Sequence, residues 1–198
     1  IILVMLAVPA LSMRLGTVDA TILPDSLESR QGYDVLRDEF GFALKTVIPV
    51  VYIFAEEDDL FLMSDPFTRE NIQRAFDVGH ALERLDGVSG VSSIVNLDRT
   101  FGPNQYEVLY RHPESITDVA AKRIIEDSVR PGAILFLVHS DLHPFWPETR
   151  QLVTDIRALT SSDGELYVSG GASEITDIIN TLYGKFPVIV AVVLVVTY

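Results

Sequence analysis

Three residues at alternate positions, His139, Asp141 and His143 in the run HSDLH, carry the best metal-binding chemistry in this 198-residue chain. In an extended segment alternate side chains share one face, and two imidazoles with a carboxylate form a donor set suited to zinc. A fourth ligand and the partners that would orient the imidazoles are not identifiable. The run is therefore a weak metal candidate beside its plain reading, a polar strand exit before Pro144, and no metal site is assigned. Glu56-Glu57-Asp58-Asp59 offers carboxylates but lacks the alternating ligands and glycine of a calcium loop, so it reads as a solvated acidic turn. Gly87-Val88-Ser89-Gly90-Val91 misses the G-x-S-x-G nucleophile pattern by one position. Gly170-Gly171 precedes a helix start where an anion could sit, but Glu174 and Asp177 would repel it. P-loop and dinucleotide glycine patterns are absent from the sequence, and so is cysteine. Trp146, between Pro144 and Pro147, reads as a packing anchor. No catalytic constellation emerges, so the expectation is a non-enzyme without a cofactor.

The elements that would position these residues follow from hydrophobic periodicity. Tyr33, Leu36 and Phe40 recur at helical spacing and stop at Gly41. Thr46 to Phe54 is β-branched and aromatic, a strand in which Pro49 belongs at the start or on an edge. Asp65-Pro66 predicts a helix start, and Ile72, Ala75, Phe76, Gly79, Leu82 and Leu85 form its apolar stripe up to Gly87. A second strand is predicted within Val91 to Leu97, followed by an irregular segment from Asp98 to Pro113 that turns at Gly102-Pro103-Asn104. Ser115 to Val129 predicts a helix, with Ser115 and Asp118 at capping-box spacing. Ala133 to His139 is almost continuously apolar and reads as a strand buried on both faces. A helix bearing Leu152, Val153, Ile156 and Leu159 and a short strand from Leu166 to Ser169 complete the pattern. Two strand–helix–strand units in series predict an α+β fold of the ferredoxin-like, split βαβ kind, with helices on one face of the sheet.

The chain's mean hydropathy of +0.27 is high for a soluble domain. Its source is the two ends: Ile1 to Leu11 and Phe186 to Val196 hold no polar side chain, and all charges lie between Arg14 and Lys185. Each run is about half of the roughly 20 residues a membrane helix needs. The first lacks the basic start of a signal peptide and is followed by Arg14, so it reads as the C-terminal end of a transmembrane helix over residues 1–13. Near the other end, Ile175, Ile178, Ile179, Leu182, Tyr183 and Phe186 make a one-sided helical stripe, and beyond Lys185 the pattern is apolar all round. Residues 173–198 are expected to form a helix leading into a second membrane span, with Ser173 as N-cap, Glu174 and Asp177 complementing the dipole, Gly184 adding flexibility and Pro187 a kink. Residues 14–172 form the domain between. A net charge of −13 excludes nucleic acid as a partner, because phosphate binding needs clustered Lys and Arg. From Asp19 to Asp59 ten acids face three bases, unlike the basic cytoplasmic loops of membrane proteins, which points to the extracytoplasmic side.

Four blocks of this sequence carry a family resemblance. They are Leu23-Pro24-Asp25-Ser26 leading to Ser29–Tyr33 and Phe40-Gly41, then Leu85–Ser93, then Arg150–Leu159, and last Ser169-Gly170-Gly171 with Asp177 and Phe186-Pro187-Val188. In order and spacing the chain resembles the first extracytoplasmic (porter) loop of the MMPL-type transporters in the resistance–nodulation–division (RND) superfamily. The resemblance implies a multi-pass cell-membrane exporter of lipids or other hydrophobic molecules, driven by the proton-motive force. Its partners would be further transmembrane helices, a second porter loop, membrane lipid and a hydrophobic substrate, and its proton-relay carboxylates would lie outside this chain. Ser173, Asp177, Gly184 and Pro187 are the expected residues of membrane entry and coupling, and the stretch from Asp98 to Glu114 has no counterpart among the four blocks. Two other readings remain: a membrane-anchored extracytoplasmic sensor or ligand-binding domain, and a membrane-anchored metal hydrolase using His139, Asp141 and His143.

Overall fold

A computed structural model describes residues 20–41, 45–54, 65–159 and 164–197; the N-terminal apolar run and the acidic turn at 56–59 lie outside them. The described elements run α1 (Glu28–Asp38), β1 (Thr46–Phe54), α2 (Arg69–Glu83), β2 (Val88–Ser92), α3 (Pro103–Arg111), α4 (Val119–Ser128), β3 (Val129–Arg130), β4 (Ala133–Ser140), α5 (Pro147–Ala158), β5 (Gly164–Val168) and α6 (Gly171–Thr197). The fold is α+β. Its sheet is antiparallel throughout, ordered β2-β4-β1-β5, with β3 pairing the start of β4.

Alternation along β1 and β4 decides where the core lies. Val50 faces Phe136 on one side and Val168 on the other, and Tyr52 faces Ile134 and Leu166 in the same register. One set of alternate residues, Ile48, Val50, Tyr52, Phe54, Ile134, Phe136 and Val138, is therefore buried together. It packs against the stripes of α2 (Ile72, Ala75, Leu82) and α5 (Leu152, Val153, Ile156). Gly79 sits within the α2 stripe because a Cβ there would lie 2.9 Å from Asn96 Oδ1 and 3.4 Å from the Phe136 ring. Among the described residues the other sheet face is only partly covered. Val47, Ile53 and Tyr167 are 46%, 42% and 54% exposed, and Val51, Leu135 and Leu137 are half-buried.

Several elements differ from the sequence expectation. β4 is buried on one face only, because α2 and α5 occupy the same side of the sheet. Pro49 lies inside an inner strand, yet β5 pairs β1 only from Val50 onward. Its ring thus occupies a position past the end of the partner strand, where its own carbonyl accepts from the Ser169 N–H (2.9 Å). α2 starts at Arg69 rather than at Asp65-Pro66: Asp65 caps a turn through the Phe67 N–H (2.9 Å), and Thr68 is the N-cap, accepting from the Asn71 N–H (3.3 Å). β2 begins three residues before the expected strand. Asp98 to Pro113 is not irregular but holds α3, with Pro103 in its first turn. Tyr106 fixes that helix, its hydroxyl donating to the Asp98 carbonyl (2.8 Å) and accepting from the Asp98 N–H (2.9 Å). The helix expected from Ser115 starts at Val119, capped by Asp118 through the Ala120 N–H (2.7 Å).

Phe136 is fully buried at the centre of this core, whereas Val51 is on the open face. Phe136→Ala is expected to destabilise the protein by about 3–5 kcal/mol in urea unfolding, and Val51→Ala by under about 1 kcal/mol.

Candidate functional site

The junction between the sheet domain and α6 carries a network of side-chain hydrogen bonds. α6 begins at Gly171, so Ser173 lies inside the first turn and is not the N-cap expected from sequence. The chain reverses at Gly170, whose φ of +91° and Cβ position, 2.8 Å from Pro49 Cδ, admit no side chain without strain and a clash. Ala172, Ser173, Thr176 and Ile179 are the buried residues of α6. Arg157 of α5 ties this part of the helix to its neighbour, donating to both oxygens of Asp177 (2.6 and 2.9 Å) and to Ser173 Oγ (2.7 Å). Ser173 in turn donates to the Val168 carbonyl at the end of β5 (3.0 Å), so α5, β5 and α6 meet in one clamp. The Arg157 hydrogen bonds hold the Asp177 carboxyl below its ordinary value. Asp177 thus binds a neighbouring helix, where the sequence reading had it complementing the dipole. Glu174 does occupy the first turn. Arg157 escaped the sequence reading because nothing local links a surface arginine to a carboxylate 20 residues on.

Ile179 is the last buried residue of α6 among the described residues. Ile178, Leu182, Tyr183 and Phe186 are 54%, 49%, 44% and 41% exposed, so the apolar stripe outruns the surface it packs on. Gly171–Thr197 is long and apolar enough to cross a membrane, and only 6% of its most apolar window is buried. Pro187 lies within this helix and has no N–H for the carbonyl four residues earlier. Gly184 has open space where a Cβ would stand.

The HSDLH run does not converge on a metal. The strand ends at Ser140, so the alternation that would align all three residues stops before Asp141. His139 Nε2 pairs with Ser92 Oγ on β2 (2.9 Å), Asp141 is exposed, and His143 is buried with Nε2 against Tyr33 OH of α1 (3.2 Å). Among the described residues no group of three or more His, Cys, Asp or Glu could hold a metal ion. Trp146 stacks on His143 at 5.7 Å while remaining 51% exposed. These contacts dock α1, none of whose residues is buried, near the exit of β4.

Two further concavities border residues singled out in the sequence. Ser89, at a register shift between Val88 and Gly90, opens on a cavity of about 310 Å³ shared with His80 and Glu83. His80 Nδ1 is already paired with Glu83 (3.2 Å), which also accepts from Asn96 (2.8 Å). A larger crevice of about 680 Å³ lies between α4 and the open sheet face at Ser92 and Leu137. The helix α4 was expected from the sequence, but nothing local places it beside Ser92 and Leu137, because that meeting depends on the sheet's three-dimensional edge.

Because Asp177 is held low by Arg157, its contribution to stability is present above the ordinary carboxylate value and is lost as pH falls through the lower folded value. The pair is partly solvent-exposed, so Asp177→Asn is expected to cost only about 0.2–1 kcal/mol at neutral pH. Amide exchange of the first turns of α6 should rise in the variant, and the difference from wild type should vanish in strong acid. The sequence matches no protein-family model and no curated protein.

Proposed function

We propose that this chain is the extracytoplasmic porter domain of a proton-driven exporter of the RND/MMPL type, passing lipids or other hydrophobic molecules and moving with the membrane helix attached to it. The observation that carries the reading is α6, which continues without a break from turns buried in the domain to an exposed apolar segment of membrane-spanning character. A helix of this kind transmits displacement, because its hydrogen bonds are internal and its first turns are clamped by Arg157. The ferredoxin-like assignment belongs to the same proposal. It is supported by the antiparallel order β2-β4-β1-β5 and by helices joining β1 to β2 and β4 to β5. On this reading α3, α4 and β3 are an insertion between the two halves, and the domain stands on the extracytoplasmic side of a multi-pass membrane protein.

A sensor or ligand-binding domain is the second reading, favoured by the crevice beside α4. It shares α6 but requires no export.

Gly184 and Pro187 are the points where α6 departs from an ordinary helix. Gly184→Ala introduces no clash and, with Pro187→Ala, stiffens the helix by removing a glycine and restoring a backbone donor. In the full transporter the double variant is expected to lower export at unchanged protein level. Unchanged export would count against coupling through α6, and a full-length protein with no export activity would favour the sensor.

A further inference from the structure

We propose that the cavity between α2 and β2 hydrolyses short acyl esters, with Ser89 as nucleophile, His80 as general base and Glu83 as the residue that orients the base. The cavity, about 310 Å³, is at the small end of the roughly 300–1,000 Å³ of ligand sites, which suits a short acyl group. Val95 in its wall is buried, and Phe76, His80, Glu83 and Asn96 are half-buried, so the site is drawn partly out of bulk water. Hydrolysis at this cavity does not depend on the export reading.

A chain of hydrogen bonds sets the orientation of His80. The buried Ser93 Oγ accepts from the Val95 N–H (3.2 Å) and donates to Asn96 Oδ1 (2.6 Å). Asn96 is thereby turned so that its amide nitrogen donates to Glu83 Oε1 (2.8 Å), and Glu83 Oε2 lies 3.2 Å from His80 Nδ1. A carboxylate accepts, so in the neutral imidazole the proton is on Nδ1 and the lone pair is on Nε2. The Phe76 ring, edge-on at 4.3 Å, supports the imidazole from the side. An imidazole held by a carboxylate through Nδ1 is the arrangement that activates a serine hydroxyl. Ser89 lines the same cavity where the ladder of β2 shifts register between Val88 and Gly90, and irregularities of this kind re-aim a side chain. Its hydroxyl and the Arg99 guanidinium, also in the lining, bond to no described residue.

Water is the one co-reactant. Ser89 Oγ bonds to the ester carbonyl carbon while its proton passes to His80 Nε2, and Arg99 balances the charge that develops on the carbonyl oxygen. The bond from that carbon to the alcohol oxygen then breaks, and the alcohol leaves with the proton from His80. Water gives a proton to His80 as it attacks the acyl-serine, which splits into a carboxylic acid and the restored Ser89 hydroxyl.

The test uses the full chain in phosphatidylcholine vesicles, treated with a biotinylated fluorophosphonate that reacts with activated serines. Peptide mapping is expected to find the label on Ser89 in folded protein and to find none after unfolding in urea. Hydrolysis of p-nitrophenyl acetate should be lost in Ser89→Ala, a change at an exposed position. It should fall by about a hundredfold or more in His80→Gln, as for loss of a general base. Glu83→Gln should lower kcat and leave KM and the urea midpoint at their wild-type values, a split that a purely structural contact would not give. Folded wild-type protein that takes no label at Ser89 overturns the proposal without recourse to any variant. Hydrolysis that persists in Ser89→Ala, or an unchanged kcat in His80→Gln, overturns it as well. An unchanged kcat in Glu83→Gln overturns the orienting role.

Discussion

One helix has to satisfy two surroundings, and the rest of the structure is arranged around that requirement. The first turns of α6 bury Ala172, Ser173, Thr176 and Ile179 against the domain, while the residues from Val188 to Val196 are exposed among the described residues. Each exposed square ångström of such apolar area costs about 25 cal/mol in water, so a run of valines and leucines of this kind favours an apolar surrounding. The charges of the chain respect the same boundary, since none follows Lys185 and the net charge of −13 is carried entirely by the segment before the apolar end.

The base of that helix is bonded to two neighbouring elements. Arg157 reaches it from α5 through a two-point contact with Asp177, a geometry that fixes direction as well as distance. Ser173 links the same guanidinium to the end of β5, and Gly170 lets the chain turn against Pro49 of β1. The helix is thereby referred to the central strands, whose residues Ile48, Val50, Phe136 and Val138 are fully buried. Among the described residues the sheet's opposite face has no comparable cover, and α4 lies beside it across a crevice lined by apolar, hydroxyl and charged side chains. The domain thus has one packed sheet face and, among the described residues, one largely open face, and it is continuous with a helix long and apolar enough to cross a membrane.

Much of this was legible in the residues. The β-branched run at 46–54 gave β1 its limits directly, and the stripes of α2 and α5 identified the core. The passage of α6 from one-sided to all-round apolar character was also readable, because periodicity and solvent are directly linked. Other features depended on contacts that no local pattern encodes. Gly102-Pro103-Asn104 has turn chemistry, but the same proline suits a first helical turn, and Tyr106 bonding to Asp98 decided for helix. The alternation of His139, Asp141 and His143 would have aligned them only in a longer strand; β4 ends at Ser140, and each imidazole went to a partner on another element. Ser173 has the composition of an N-cap, yet the helix extends two residues further back and the serine became part of the clamp.

The central claim is that α6 passes from protein into lipid shortly after Lys185 while its base stays fixed on the domain. Because the chain has no cysteine, single cysteines at positions 180, 190 and 193 can each carry one spin label without further change. In phosphatidylcholine vesicles the account predicts that the label at 180 collides mainly with a water-soluble nickel chelate. The labels at 190 and 193 should collide mainly with oxygen and be shielded from nickel. Nickel accessibility that is as high at 190 and 193 as at 180 would place the whole helix in water and contradict the account.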